Sequence, residues 1–300
     1  MNKEQIRSHK SLSRSLQTIM SILDFDLKKE IAKKLKTNKE ITIVDIGCGV
    51  GRSLWELSNI FSESEVHMNL FGVFYSAKPN PNSIFFANQK RYEEVLKNPL
   101  IVANEFNIQT KNKDIPKLFN TDACKYLPIK SNSVDLIYST NAFHFFADKI
   151  NAIKEMSRIL KTNGIAIINI DRTDDDFWPD NLHFPRLCIH REHKIIDAKK
   201  FLQSKSGADF TISIKKVDSY GTGKNSYILK MRKHQKKTLT FPELSFDKKE
   251  SFSLDNIRFS EQNCEDTIEY KRLIAMGTVF GKKTNKENFG GYLSTYKLKE

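Results

Sequence analysis

Short apolar runs alternate with amphipathic helical stretches through the first 170 residues. The run at 41–46 is mostly apolar and β-branched, which predicts a strand buried on both faces. Three further strands are predicted on similar grounds, at 69–75, 134–139 and 165–170. Helical spacing of apolar residues at 52–61 and 149–161 separates these runs. Strands that alternate with helices predict a parallel sheet.

The pattern changes on both sides of this region. Residues 11–36 repeat apolar residues at helical spacing, which predicts two amphipathic helices. Residues 210–218 and 225–232 predict an antiparallel hairpin that closes the sheet. The predicted organisation is a helical lid over the acceptor site (1–37), an α/β domain with an insertion near 77–120 (38–233), and a C-terminal appendage (234–300).

Composition is that of a folded globular protein. Of the 300 residues, 39% are hydrophobic and 28% charged. The apolar runs are far shorter than the about 20 residues that a bilayer span requires, and the N-terminus lacks the apolar segment of a secretory signal. We therefore expect a cytoplasmic protein with no membrane span. The four cysteines, at 48, 124, 188 and 264, lack metal-site spacing, which predicts reduced thiols and no metal.

The net charge of +13 is unevenly distributed, because residues 181–240 hold 14 Lys and Arg against 4 Asp and Glu. Such a surface could attract RNA, an anionic lipid or a phosphorylated substrate. The alternative is a compositional bias that only solvates the surface. The run at 229–237 is likewise open to two interpretations. It predicts a basic strand edge that either follows a phosphate backbone or prevents strand aggregation, and we favour the second account.

The segment VDIGCGVGRS at 44–53 places an acidic residue, Asp45, at the end of the first strand and glycines in the turn before a helix. Without a Cβ, Gly47, Gly49 and Gly51 let the backbone approach a bulky ligand. The first amides of the following helix favour a carboxylate, so the amino-acid end of a ligand fits there. A dinucleotide-binding turn would need glycine at Arg52, which argues against a nicotinamide cofactor.

This turn resembles motif I of the class I S-adenosylmethionine-dependent methyltransferases. The segment 121–149 resembles the part of the small-molecule methyltransferases that runs DA, LP and D-x-FD, and 155–170 resembles their E-x-x-RVLKPGG element. Thr162 and Asn163 replace the Pro and Gly of that turn, which Asn163 can tolerate. The resemblance covers roughly 41–170. It implies a Rossmann-like seven-stranded methyltransferase sheet, mostly parallel, with a C-terminal antiparallel hairpin.

The resemblance also implies S-adenosyl-L-methionine as cofactor and a set of binding residues. Asp122 and the Ala123 amide would bind the adenine, and a carboxylate suits its exocyclic amine. The cofactor-binding residues implied are Asp45, Gly47, Cys48, Gly49, Gly51, Phe74, Asp122, Ala123 and Ser139.

One position departs from the family pattern. The family ends its second strand with an acidic residue that holds the ribose hydroxyls, and this chain has Phe74 or Tyr75 there. An aromatic side chain there could stack on the adenine, with Ser76 or an inserted-loop residue binding the hydroxyls. The alternative is a pocket that binds the cofactor weakly or not at all, in a non-catalytic methyltransferase-like interaction protein.

The acceptor side is expected after the fourth strand, where His144 is the candidate catalytic base. Its alternative role is packing at a helix start near Asp148. Phe177 and Trp178 are candidates to line the acceptor pocket. The adjacent acids at 174–176 lack clear metal-ligand spacing, so we expect them to be solvated.

The sequence therefore predicts a methyltransferase that acts on a small-molecule acceptor. A tRNA or RNA methyltransferase that uses the basic C-terminal half is the first alternative, and nucleic acid is the less favoured partner. The non-catalytic interaction protein is the second. The acceptor atom and the oligomeric state do not follow from the sequence.

Overall fold

The computed structural model describes residues 13–75, 86–109, 114–143, 146, 148–170, 187–191, 194–218, 225–246, 252–253 and 292–298. The helices are α1 (Leu16–Leu23), α2 (Leu27–Leu35), α3 (Arg52–Ile60), α4 (Phe86–Lys97), α5 (Leu100–Glu105), α6 (Lys149–Ile159) and α7 (Ala198–Gln203). The strands are β1 (Glu40–Ile46), β2 (His67–Phe74), β3 (Lys117–Asn120), β4 (Val134–Ser139), β5 (Leu160–Asn169), β6 (Leu187–Arg191), β7 (Lys194–Asp197), β8 (Phe210–Asp218), β9 (Asn225–Lys233), β10 (Leu244–Phe246), β11 (Phe252–Ser253) and β12 (Tyr292–Leu298). Within these residues, no helix combines the length and apolarity that crossing a bilayer requires.

Seven strands form the main sheet in the order β3-β2-β1-β4-β5-β9-β8. The first five are parallel to their neighbours, whereas β9 runs antiparallel to both β5 and β8. This is the predicted seven-stranded, mostly parallel sheet with its C-terminal antiparallel hairpin, and the fold class is confirmed. The topology brings the carboxyl ends of β1, β2 and β4 to one edge, where α/β sheets bind ligands.

Helices α1 and α2 form part of the helical layer on one face of the sheet. Their apolar residues are buried together with residues of β1, β2 and α3. Ser15 and Asp26 cap the two helices, and the N–H of Leu16 donates to the Glu56 carboxylate of α3. These helices therefore complete the core on this face, and their predicted role as a lid over the acceptor site stays a prediction. Residues 1–12 of that predicted lid lie outside the described residues.

The core on the opposite face extends beyond the predicted domain end at residue 233. Leu239, Phe241 and Leu244 are buried in the same cluster as apolar residues of α6, and the N–H of Leu239 donates to Ser157 Oγ at 2.8 Å. A second sheet, in the order β10-β12-β6-β7 with β11 paired to β12, uses strands that the hydrophobic pattern did not predict. The predicted appendage therefore begins inside the fold.

The basic run at 229–237 is not a strand edge, because β9 lies between β5 and β8. Lys233 is fully buried and donates to the carbonyl of Ser157 at 2.8 Å. His234 shares a hydrogen bond with Thr211, and Lys237 forms an ion pair with Asp209 at 3.1 Å. The predicted basic strand edge is therefore wrong, and with it the aggregation account, because β8 occupies the edge instead. Binding of this run to a phosphate backbone stays a prediction.

Candidate functional site

The loop after β1 reverses through three glycines in the left-handed region. Gly47, Gly49 and Gly51 have φ angles of +79°, +58° and +81°, which residues with a Cβ rarely adopt. The N–H groups of Gly47 and Cys48 donate to the carbonyl of Val73 at 2.7 and 3.1 Å. These bonds tie the turn to the end of β2 and direct the chain into α3.

Gly47 also lies directly against the segment after β4. A Cβ at this position would be 2.1 Å from the Cβ of Ala142, far inside van der Waals contact. Glycine thus lets the carboxyl ends of β1 and β4 approach each other at the ligand-binding edge of the sheet.

Asp45 is the last but one residue of β1, and it is 2% exposed. Its Oδ2 accepts a hydrogen bond from Ser53 Oγ at 2.9 Å, and Ser53 Oγ lies 2.9 Å from the Tyr138 hydroxyl. Burial raises the pKa of Asp45 from 3.8 to about 7, against the opposing effects of the two hydroxyls and of Arg14. The site therefore contains a carboxyl group whose charge changes near neutral pH.

Cys48 lies in the turn, but its polar groups face the protein. A Cβ on Gly72 would be 2.7 Å from the Cys48 Sγ, and this thiol donates to the carbonyl of Gly49 at 3.4 Å. Burial raises the pKa of the thiol well above its usual value. Since the N–H already donates to Val73, Cys48 contributes the shape of the turn rather than a free donor.

Phe74 ends β2 and is 3% exposed, whereas Tyr75 is 63% exposed. Of the two candidate aromatics, Phe74 is therefore the one that faces inward. Its ring stacks on that of Tyr92 from α4, with centroids 4.3 Å apart and planes 10° apart. The insertion thus covers one face of the position where the family has its acidic residue.

The predicted adenine-binding residues follow β3. The N–H of Thr121 donates to the Phe74 carbonyl at 2.8 Å, which holds the two strand ends together. Asp122 Oδ1 accepts from the Cys124 N–H at 2.9 Å, so one of its oxygens stabilises the local turn. Ala123 is buried beside it. Asp122 and Ala123 thus lie next to the end of β2, and their binding of adenine stays a prediction.

Ser139 ends β4 and is fully buried. Its Oγ has no hydrogen-bond partner within the described part of the chain, and a buried hydroxyl ordinarily has one. The next turn is held by the Asn141 N–H, which donates to Asn169 Oδ1 at 3.3 Å. Ser139 therefore offers a hydrogen-bonding group at the same sheet edge as the glycine turn.

The acceptor-side predictions stay untested. His144, Phe177, Trp178 and the acids at 174–176 lie outside the described residues. Asp148, the proposed neighbour of His144, caps α6 by accepting from the Asn151 N–H at 2.9 Å.

The sequence analysis did not identify four residues that reach the site through the fold. Tyr138 and Ser53 share the hydrogen-bonded network of Asp45, and Arg14 and Tyr92 come from segments outside the motifs. Ser53 was visible as a hydroxyl in the first turn of the helix after the glycines. The other three carried no local signal, because only tertiary packing brings them to the site.

Comparison with known proteins supports the motif assignment. Residues 44–168 match the family model described as a methyltransferase domain. An uncharacterized chloroplastic methyltransferase from Arabidopsis thaliana is 26% identical over 125 residues, which are 42% of this chain. That match spans 29% of the relative's own length.

Two of the solved structures to which this chain is similar are methyltransferases by their descriptions. A SAM-dependent methyltransferase from Aquifex aeolicus is 15% identical, with a TM-score of 0.44 over 75% of this chain and 96% of that one. A putative S-adenosyl-L-methionine-dependent methyltransferase from Methanococcus maripaludis is 17% identical, with a TM-score of 0.42 over 78% and 94%. The fold assignment rests on the strand order itself. With the matched motif residues, that order places residues 44–168 in the class I S-adenosylmethionine-dependent methyltransferase superfamily.

Proposed function

We propose that this protein transfers the methyl group of S-adenosylmethionine to a small-molecule acceptor. The observation that carries the proposal is the glycine turn above the buried Asp45, at the carboxyl edge of the sheet. A Cβ on Gly47 would collide with Ala142, so glycine lets the ends of β1 and β4 meet at the edge where α/β sheets bind ligands. The donor set suits a cofactor that carries an ammonium, a carboxylate and an adenosine.

Each end of the cofactor has a candidate partner. Asp45 would hold the α-ammonium, and the start of α3 favours a carboxylate. Phe74 and Ala123 supply apolar surface for the adenine, and Asp122 can accept from its exocyclic amine. Ser139 adds, at the same edge, a buried hydroxyl with no hydrogen-bond partner among the described residues.

When bound, S-adenosylmethionine supplies an electrophilic methyl group on a positively charged sulfur. The remaining task of the chain is to orient a nucleophile in line with that methyl group and to exclude water. We propose His144 as the base that removes a proton from the acceptor hydroxyl or amine.

Two features favour a small acceptor over RNA. The insertion helix α4 covers the nucleotide side of the sheet edge through Tyr92, which suits an enclosed pocket. The basic run at 229–237 forms no continuous track, because Lys233 is buried and Lys237 is paired with Asp209. Phosphate recognition requires accessible cations.

Isothermal titration of the full chain with S-adenosylmethionine and S-adenosylhomocysteine tests the proposal. We expect both to bind with dissociation constants in the micromolar-to-millimolar range. Gly49→Arg places a long side chain in the turn at a φ of +58°, and we expect it to weaken binding at least about 100-fold. Gly207→Ala is the matched control, because a Cβ there meets nothing within 4 Å.

Absence of binding to the folded wild type, with Gly49→Arg no different, would favour a non-catalytic interaction protein. If both ligands bind, a screen of cell extract with labelled cofactor identifies the acceptor. A labelled product of low molecular mass is the expected result, and labelled RNA would contradict the small-molecule assignment.

An RNA acceptor is the second candidate because three cations converge near the start of β5. Lys34 Nζ donates to the Asn163 carbonyl at 3.3 Å. Burial chiefly lowers the pKa of Lys34, the charges of Asp135 and Glu30 oppose that shift, and those of Arg232 and Lys161 add to it. Lys161 also forms an ion pair with Asp135 at 2.6 Å. This cluster lies roughly 15–20 Å along the strand from the carboxyl edge, so RNA held there would have to span the sheet.

Fluorescence anisotropy with tRNA distinguishes the two acceptors. We expect weak binding to wild type that Lys34→Gln combined with Arg232→Gln does not change. If affinity instead falls steeply between about 50 and about 200 mM salt, and the double variant removes that dependence, the RNA methyltransferase is favoured.

A further inference from the structure

The insertion helix α4 is fixed against the glycine turn. Val95 is fully buried in a cluster with Val50 of the turn and Trp55 of α3. Arg91 forms ion pairs with Glu94 and with Glu105 at the end of α5. Tyr92 lies three residues before Val95, so both side chains project from the same side of the helix. The position of Tyr92 is therefore set by core packing.

The Tyr92 side chain lies at the end of β2, near the glycine turn. Its ring stacks on Phe74, and the side chain is half-buried. Cys48 and Arg14 lie near enough to shift the pKa of the phenol, which burial raises above its usual value. The hydroxyl is therefore neutral, and among the described residues none forms a hydrogen bond with it. A neutral phenol can both donate and accept.

Phe74, the last residue of β2, has no polar group in its side chain. Nucleoside hydroxyl groups buried there would need a hydrogen-bond partner. We propose that the Tyr92 hydroxyl binds a ribose hydroxyl of the cofactor, so that α4 supplies what the strand lacks. This inference rests on the proposed function, and it makes the insertion a part of the cofactor site.

The substitution that tests it is Tyr92→Phe, which keeps the ring stacked on Phe74 and removes one oxygen. Titration of the full chain with S-adenosylhomocysteine should show binding about 3- to 10-fold weaker than in wild type. Tyr126→Phe is the matched control, because Tyr126 is 67% exposed and packs under Arg158. It should bind within about twofold of wild type. Thermal unfolding checks that both variants are folded.

The 2′-deoxy and 3′-deoxy analogues of S-adenosylhomocysteine make the test specific for a hydroxyl. One analogue should bind wild type about 3- to 10-fold more weakly than the parent and bind Tyr92→Phe as well as the parent, since the missing bond is then already lost. If each analogue loses the same factor in both proteins, Tyr92 does not bind the ribose. If wild type does not bind S-adenosylhomocysteine, the proposed function fails and this inference fails with it.

Discussion

Replacing Gly47 with alanine is expected to destabilise the protein by about 2 to 5 kcal/mol and to abolish cofactor binding. The left-handed φ of +79° accounts for about 1 to 2 kcal/mol once a Cβ is present. The larger part comes from overpacking, because the new methyl group would be 2.1 Å from the Cβ of Ala142. Relief requires the end of β1 or the segment after β4 to move.

Thermal unfolding measures this effect, and Gly51→Ala is its matched control. Gly51 has a φ of +81°, but its nearest neighbour is the end of the Leu118 side chain, 3.1 Å away. Gly51→Ala therefore carries the backbone strain without a collision between fixed atoms. We expect Gly47→Ala to lower the Tm by about 5 to 15 °C and Gly51→Ala to lower it much less.

A second substitution separates the collision from the strain. Ala142→Gly in the Gly47→Ala background removes the atom that the new methyl group meets, so part of the lost Tm should return. A double variant no more stable than Gly47→Ala would contradict the steric explanation. A Tm of Gly47→Ala within about one degree of the wild-type Tm would also contradict the steric explanation.

The sequence predicted correctly those strands whose burial produces a clear pattern of apolar residues. β4 and β8 match their predicted bounds, and β1 differs by one residue. β3 was missed because its four residues, KLFN, are only partly buried and gain their strand pairing from β2. The position of β9 inside the sheet was also missed, since alternating lysines look alike on an edge strand and on a central strand with a solvated face.

The site was predictable where it is local and not where it depends on packing. Asp45 and the three glycines lie within seven residues, and their chemistry follows from the turn that they form. The Tyr92 ring reaches Phe74 only because α4 folds back onto the glycine turn. No periodicity or spacing between those two residues signals that contact. The absence of an acid at the end of β2 was visible in the sequence, and the aromatic pair is what the fold places there.

Cofactor binding is expected to weaken on the order of 50-fold between pH 7 and pH 5, because the α-ammonium requires an ionised Asp45. Burial raises the pKa of this carboxyl from 3.8 to about 7, so it is largely protonated in the free protein at pH 5. Binding at pH 6 should therefore release close to one proton, roughly 0.9 per cofactor. Titrations in two buffers of different ionisation enthalpy measure that release.

The stability of the free protein should change in the opposite direction over the same range. Between its unfolded pKa of 3.8 and its folded pKa of about 7, Asp45 holds more protons in the folded state. Its contribution to stability is thus full below about pH 4 and is lost as the pH rises through about 7, with a limiting slope of about 1.4 kcal/mol per pH unit.

Asp45→Asn keeps an oxygen that can accept from Ser53 and does not titrate. We expect this variant to bind weakly with no dependence on pH between 5 and 7, and the difference in stability between wild type and variant to fall across that interval. If wild type binds S-adenosylmethionine equally well at pH 5 and pH 7, or if Asp45→Asn retains the pH dependence, Asp45 is not the group that holds the ammonium.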